Sequence, residues 1–155
     1  MTSSNNGQDI YLAGGEGSEF IIRPVTLTNQ TARYGWFLAN AGGAASNGIW
    51  LEMATTGATT LNAANASTTT TSSSLYTMVT NTWYRLRIDV AYDYTSATGI
   101  IYNASGSILG TQTVSTNLPT NPVAHGFQTN NAGTNIGALV DVDWMTAEWN
   151  KPIPR

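Results

Sequence analysis

The chain has 155 residues, no cysteine, and charged side chains at only 10% of positions, against about 25% in an average soluble domain. A formal net charge of −3 without a basic stripe argues against a nucleic-acid binder. The lack of cysteine removes disulfides, thiolate zinc sites and Cys nucleophiles, and no run of about 18 apolar residues is present to insert in a membrane.

Thr, Ser, Asn, Ala and Gly take the place of charge. Strong helix formers are scarce and Thr, Tyr, Trp, Val and Ile are plentiful, so the composition predicts an all-β chain rich in loops. Residues 1–8 read as a flexible leader without a signal-peptide pattern. Residues 9–150 read as one β-sandwich domain and 151–155 as a tail.

In chain order, Asp9–Leu12 reads as a short strand and Gly14–Gly17 as a turn. Glu19–Leu27 reads as a strand, with Pro24 marking an edge or a bulge because it donates no ladder hydrogen bond. Tyr34–Ala39 is the next strand, and 40–48 is a loop by composition. Ile49–Thr55 places Ile49, Leu51 and Met53 on one face and Trp50 and Glu52 on the other. Gly57 marks a hairpin into Ala58–Ala64. The Asn/Ala/Ser/Thr run 65–74 is left open between strand and loop.

Thr82–Tyr92 has the most regular alternation in the chain. Tyr84, Leu86, Ile88, Val90 and Tyr92 share one face of an extended strand, and Trp83, Arg85, Arg87, Asp89 and Ala91 share the other. After a turn at 93–98, Gly99–Asn103 and Ile108–Thr116 read as a hairpin around Gly106. Val123–Thr129 is a strand with the only histidine, His125. Asn135–Trp149 is a long last strand. Its alternation puts Val140, Val142, Trp144 and Thr146 on one face and Asp141, Asp143 and Met145 on the other. Ten or more strands with turn signals between them and no credible helix predict a sandwich of two antiparallel sheets.

The order Asn47-Gly-Ile-Trp-Leu-Glu-Met53, a Thr-rich stretch, Trp83-Tyr-Arg-Leu-Arg-Ile-Asp-Val90, Gly99-Ile-Ile-Tyr-Asn-Ala-Ser-Gly-Ser-Ile-Leu109 and Val140-Asp-Val-Asp-Trp-Met145 resembles the concanavalin A-like lectin/glucanase jelly roll. It is most similar to the versions in tailed-bacteriophage structural proteins such as tail fibres, head fibres and related virion appendages. The resemblance spans about residues 19–148 and rests on degenerate motifs. It implies an all-β, two-sheet antiparallel jelly-roll sandwich with the closing strand in the centre of a sheet. In this sequence the hairpin turn Asn103-Ala-Ser-Gly106 is not a tight Asn-Gly, so a longer turn type is expected.

Glycoside hydrolases of this fold superfamily carry Glu-x-Asp-x-(x)-Glu on a strand, and retaining cleavage needs two carboxylates about 5 Å apart. Asp141 and Asp143, with Glu148 beyond, are the nearest match, but the glutamates are missing and Glu148 is out of alternation. Similar jelly-roll lyases use Arg, Gln, His and Tyr on a concave sheet. Arg85, Arg87, His125, Gln128 and Tyr34 supply the residue types without the spacing. No Gly-x-Ser-x-Gly elbow is present. Asp141, Asp143 or Asp93 would suit calcium by ligand type, though no metal motif is recognisable and no cofactor is expected.

The five tryptophans are more informative. Aromatic faces stack on the C–H faces of sugars, and Trp with Asn, Asp and Arg is suited to a glycan site; the alternatives are core filling or burial between subunits. By alternation Trp144 belongs to the core, whereas Trp50 and Trp83 lie opposite their apolar neighbours. The sequence therefore predicts a non-enzymatic virion module, assembled in a host cytoplasm and working outside it. It would bind a host-surface polysaccharide or a neighbouring virion protein, as a homotrimer. The expected ligand-binding residues are Trp83, Arg85, Arg87 and Asp89, with Trp50 and Glu52 beside them if their strands are neighbours. The alternatives are a glycan-active hydrolase or lyase and a capsid-decorating module without ligand.

Overall fold

The structure is a computed structural model, described for residues 10–39, 45–66, 68–131 and 140–149. Ten strands and no helix are found among them: β1 (Glu16–Pro24), β2 (Gln30–Ala39), β3 (Ala45–Met53), β4 (Ala58–Asn65), β5 (Thr68–Thr77), β6 (Tyr84–Val90), β7 (Ala97–Asn103), β8 (Ile108–Val114), β9 (Ala124–Asn131) and β10 (Val140–Trp149). They form two five-stranded antiparallel sheets, ordered β10-β1-β6-β7-β8 and β5-β4-β3-β2-β9. This is the two-sheet jelly-roll sandwich expected from the sequence.

The core lies between the sheets. β6 shows why. Tyr84, Leu86, Ile88 and Val90 are buried, while Arg85, Arg87 and Asp89 between them are half-buried on the outer face. β1 contributes Phe20 and Ile22 to the same layer. From the facing sheet come Tyr34, Trp36, Ile49, Leu51, Met53 and Leu61. Leu86 is fully buried, so truncating it to Ala would cost roughly 2–5 kcal/mol.

The Thr-rich run is a strand. Hydroxyls complete the pairing where β5 is out of register with β4. The Leu61 amide donates to Ser72 Oγ at 2.9 Å, and Thr71 Oγ1 donates to Asn62 Oδ1 at 2.7 Å. Strand boundaries shift elsewhere. Glu16 and Gly17 belong to β1 rather than to a turn, and β3 begins at Ala45. Of the expected Asp9–Leu12 strand, only an Ile10–Val123 bridge lies among the described residues. Pro24 closes β1 beyond the last residue paired with β6, so its missing N–H breaks no ladder there. The 103–107 hairpin has a three-residue loop, with Gly106 at φ +85° and its N–H donating to the Asn103 carbonyl at 3.0 Å.

Two expectations for the last strand are corrected. β10 is an edge strand, not a central one. Its alternation is also broken. Ile21 pairs with Trp144 and Ile22 with Val142, so Asp143 is the extra residue of a bulge. Val140 and Val142 pack on the core, but past the bulge the faces exchange. Trp144 is 46% exposed on the outer face and is not a core residue. The part of that prediction at 135–139 lies outside the described residues.

Candidate functional site

The antiparallel register brings outer-face residues of the β10-β1-β6-β7-β8 sheet into rows. One row runs Trp144, Ile21, Arg85, Tyr102, Ile108, with one residue from each strand. Four strand spacings of about 4.8 Å make it about 19 Å long. Trp144 and Ile108 are exposed, and the Arg85 side chain is 39% exposed. The Arg85 guanidinium lies 4.0 Å from the centre of the Tyr102 ring, a cation–π contact that fixes its plane.

Beside this row is an open hollow of about 530 Å³, lined by Ile21, Trp83, Arg85, the 103–106 turn and Asp143. Trp83 precedes β6 and sits under the Arg23 guanidinium, 5.2 Å from its ring centre. Arg23 in turn donates from Nε to Asp141 Oδ2 at 2.9 Å. Trp83 is thus held at the rim, 36% exposed.

The next two rows are held by internal pairing. Arg87 Nε donates to both oxygens of Asp89 at 2.9 and 3.0 Å, and Arg87 also meets Glu19 and Glu148 at 3.4 Å. The hydrogen bond to Asp89 is the main cause of an Arg87 pKa raised above its ordinary value, partly opposed by desolvation. Gly17 lies at the convergence. A Cβ there would stand 3.4 Å from each of Arg87, Asp89 and Glu148.

The six residues singled out in the sequence are therefore not one site. Trp83 and Arg85 flank the hollow. Arg87 and Asp89 are on the same face but are occupied with each other. Trp50 and Glu52 are on β3, in the opposite sheet, so their strand does not neighbour β6. Trp50 lies on the expected side of β3, yet it is buried, against Phe37 and Ala64. Its Nε1 donates to Glu52 Oε2 at 3.2 Å, and Arg33 Nε donates to the same oxygen at 2.6 Å. The residues missed in the sequence are Trp144, Tyr102, Ile21 and Ile108. Pairing the 84–103 segments as a hairpin would have found Tyr102, whereas the bulge hid Trp144.

The other constellations are dispersed. Tyr34 is fully buried and lacks a hydrogen-bond partner for its hydroxyl among the described residues, and burial raises its pKa. His125 faces the sandwich interior, in contact with Phe20 and Trp36 rings and 2.7 Å from Ser18 Oγ. Neither joins Arg85 and Arg87 on the outer face, and Gln128 contacts Arg33 on the other sheet. Asp141 is paired with Arg23, and Asp143, the bulged residue, lines the hollow on the same outer face. Asp93 accepts from the Thr95 amide and hydroxyl, which lower its pKa. Among the described residues, no three His, Asp or Glu side chains are gathered so as to hold a metal ion.

The sandwich of two five-stranded antiparallel sheets places the molecule in the galectin and β-glucanase jelly-roll fold class. It superposes on chicken galectin 2 with a TM-score of 0.54 at 5% identity, covering 92% of this chain and 96% of that one. It superposes on the Bacillus licheniformis β-glucanase with a TM-score of 0.54 at 15% identity, covering 92% and 65%. The chain belongs to the SO2946-like, C-terminal domain family, whose model matches residues 1–143. The Shewanella oneidensis MR-1 protein SO2946, described as of unknown function, matches with a TM-score of 0.68 at 20% identity over 86% of this chain. The present chain spans 56% of that protein's length. No curated protein matches the sequence.

Proposed function

We propose that the chain is a non-enzymatic glycan-binding module and that its binding face is the outer surface of the β10-β1-β6-β7-β8 sheet. The observation that carries this reading is the row from Trp144 to Ile108 beside the Trp83 hollow. It offers exposed aromatic faces for the C–H side of a sugar ring. Arg85, Asn103, Ser105 and Asp143 stand beside them to meet hydroxyls. The fold shared with a galectin and a β-glucanase supports the same ligand class.

The phage-appendage setting implied by the sequence resemblance, with a homotrimer displaying this face to a host surface, is part of the proposal. The low charge supports it, since the cores of subunit interfaces are depleted in charged residues.

A glycan array probed with the wild-type chain and with the Trp83→Ala/Trp144→Ala double variant tests the reading. Binding by the wild type, lost in a variant with unchanged unfolding midpoint, is expected. A blank array, or binding untouched by the double substitution, would defeat it. Appearance of reducing-end or unsaturated-sugar products during incubation with bacterial polysaccharides would favour the enzyme reading instead.

A further inference from the structure

Resting on the glycan-binding reading, we propose that the ligand is an acidic glycan whose carboxylate or sulfate is gripped by Arg85.

Four arginines are described, and three are committed. Arg23, Arg33 and Arg87 each donate a charge-assisted hydrogen bond to a carboxylate, at 2.9, 2.6 and 2.9 Å respectively. Arg85 differs. Its nearest carboxylate oxygen is Glu19 Oε2, at 3.8 Å, beyond hydrogen-bond reach and shared with Arg87. Its guanidinium is laid on Tyr102 and lines the hollow.

A guanidinium stacked on one face keeps its in-plane N–H groups free. That fork matches the two oxygens of a carboxylate, or two of a sulfate, in a bidentate pair. Fixing the plane beforehand removes much of the ordering cost of binding. Trp83 and Trp144 supply stacking surface on either side of Arg85. Asp143, on the same hollow, accepts from a sugar hydroxyl and rejects a second acid at that end. The ligand so defined carries its acidic group over β6 and a neutral, hydroxylated ring towards β10.

Titration calorimetry with oligomers of galacturonic, glucuronic and mannuronic acid tests this. Each is paired with its carboxyl-reduced neutral counterpart, and a sulfated and an unsulfated galactan oligomer form a further pair. At least one acidic member should bind at least about tenfold tighter than its neutral partner, the scale of one charge-assisted contact. Which pair shows the preference separates carboxylate from sulfate. Arg85→Gln should bring the two members of that pair to similar affinity. Arg85→Lys should restore only part of the preference, because it keeps the charge without the fork. An unchanged unfolding midpoint in both variants shows that the sheet is intact. Equal binding of acidic and neutral members, or a preference that survives Arg85→Gln, overturns the acidic-ligand inference and leaves the glycan-binding reading standing. No binding anywhere in this panel overturns the acidic-ligand inference, and a blank glycan array alongside it removes the glycan-binding reading too.

Discussion

Arg85 and Arg87 lie two residues apart on the same face of one strand, yet only one is free to meet a ligand. The difference comes chiefly from Asp89, whose carboxylate takes the Arg87 Nε at 2.9 and 3.0 Å, with Glu148 brought in by β10 at 3.4 Å. Alternation puts Asp89 on the same face as both arginines but does not say which of them it holds. Two interior residues offer tests at this scale. The Tyr34 hydroxyl is buried without a partner among the described residues, and an unpaired buried polar group costs about 1–3 kcal/mol. Tyr34→Phe should therefore leave stability unchanged or raise it by about 1 kcal/mol in urea unfolding; a loss larger than that would mean the hydroxyl is satisfied. His125 is held below its ordinary pKa of 6.5 by burial. As pH falls through about 6.5 the unfolded chain takes up a proton that the folded chain refuses, so stability should decline from there down to the lower folded pKa. The urea midpoint should be lower at pH 5.5 than at 7.5 in the wild type, and His125→Gln should flatten that difference. Equal slopes in the two proteins would exclude His125 as the cause.

At the scale of elements, β8 lies close against β5 at Gly110. A Cβ at Gly110 would stand 1.9 Å from the Leu75 carbonyl oxygen, whereas one at Gly126 on β9 would meet nothing within 4 Å. Gly110→Ala should cost about 1–3 kcal/mol or more through overpacking, and Gly126→Ala should stay within about 0.5 kcal/mol of wild type. Comparable losses in both would contradict this packing. Alternation made β6 and the 49–53 part of β3 legible, because each has one face in the core. It failed on β10, where a single bulged residue reversed every later side chain and turned Trp144 outward. It was silent on β5, whose hydroxyls satisfy either a loop or a strand. It placed Trp50 on the correct side but not at the correct depth. Phe37 on β2 and Ala64 on β4 pack against its indole and bury it.

At the scale of the whole molecule, two outer faces have different characters. On one, Trp50 is covered and Arg33, Glu52 and Gln128 bond to one another. On the other, an aromatic and cationic row stays open. This asymmetry is the ground on which the outer face of the β10-β1-β6-β7-β8 sheet is proposed as the binding face. The proposed trimer would show in light scattering as three times the 16.5 kDa chain; a monomer mass at micromolar concentration would count against that assembly without touching the face. The most direct test of the face follows the five indole N–H signals by NMR while an array-positive glycan is added. The Trp83 and Trp144 signals should move with the ligand while those of Trp36 and Trp50 stay in place. Movement of the Trp50 signal with Trp83 and Trp144 unmoved would put the binding face on the opposite sheet and contradict the account.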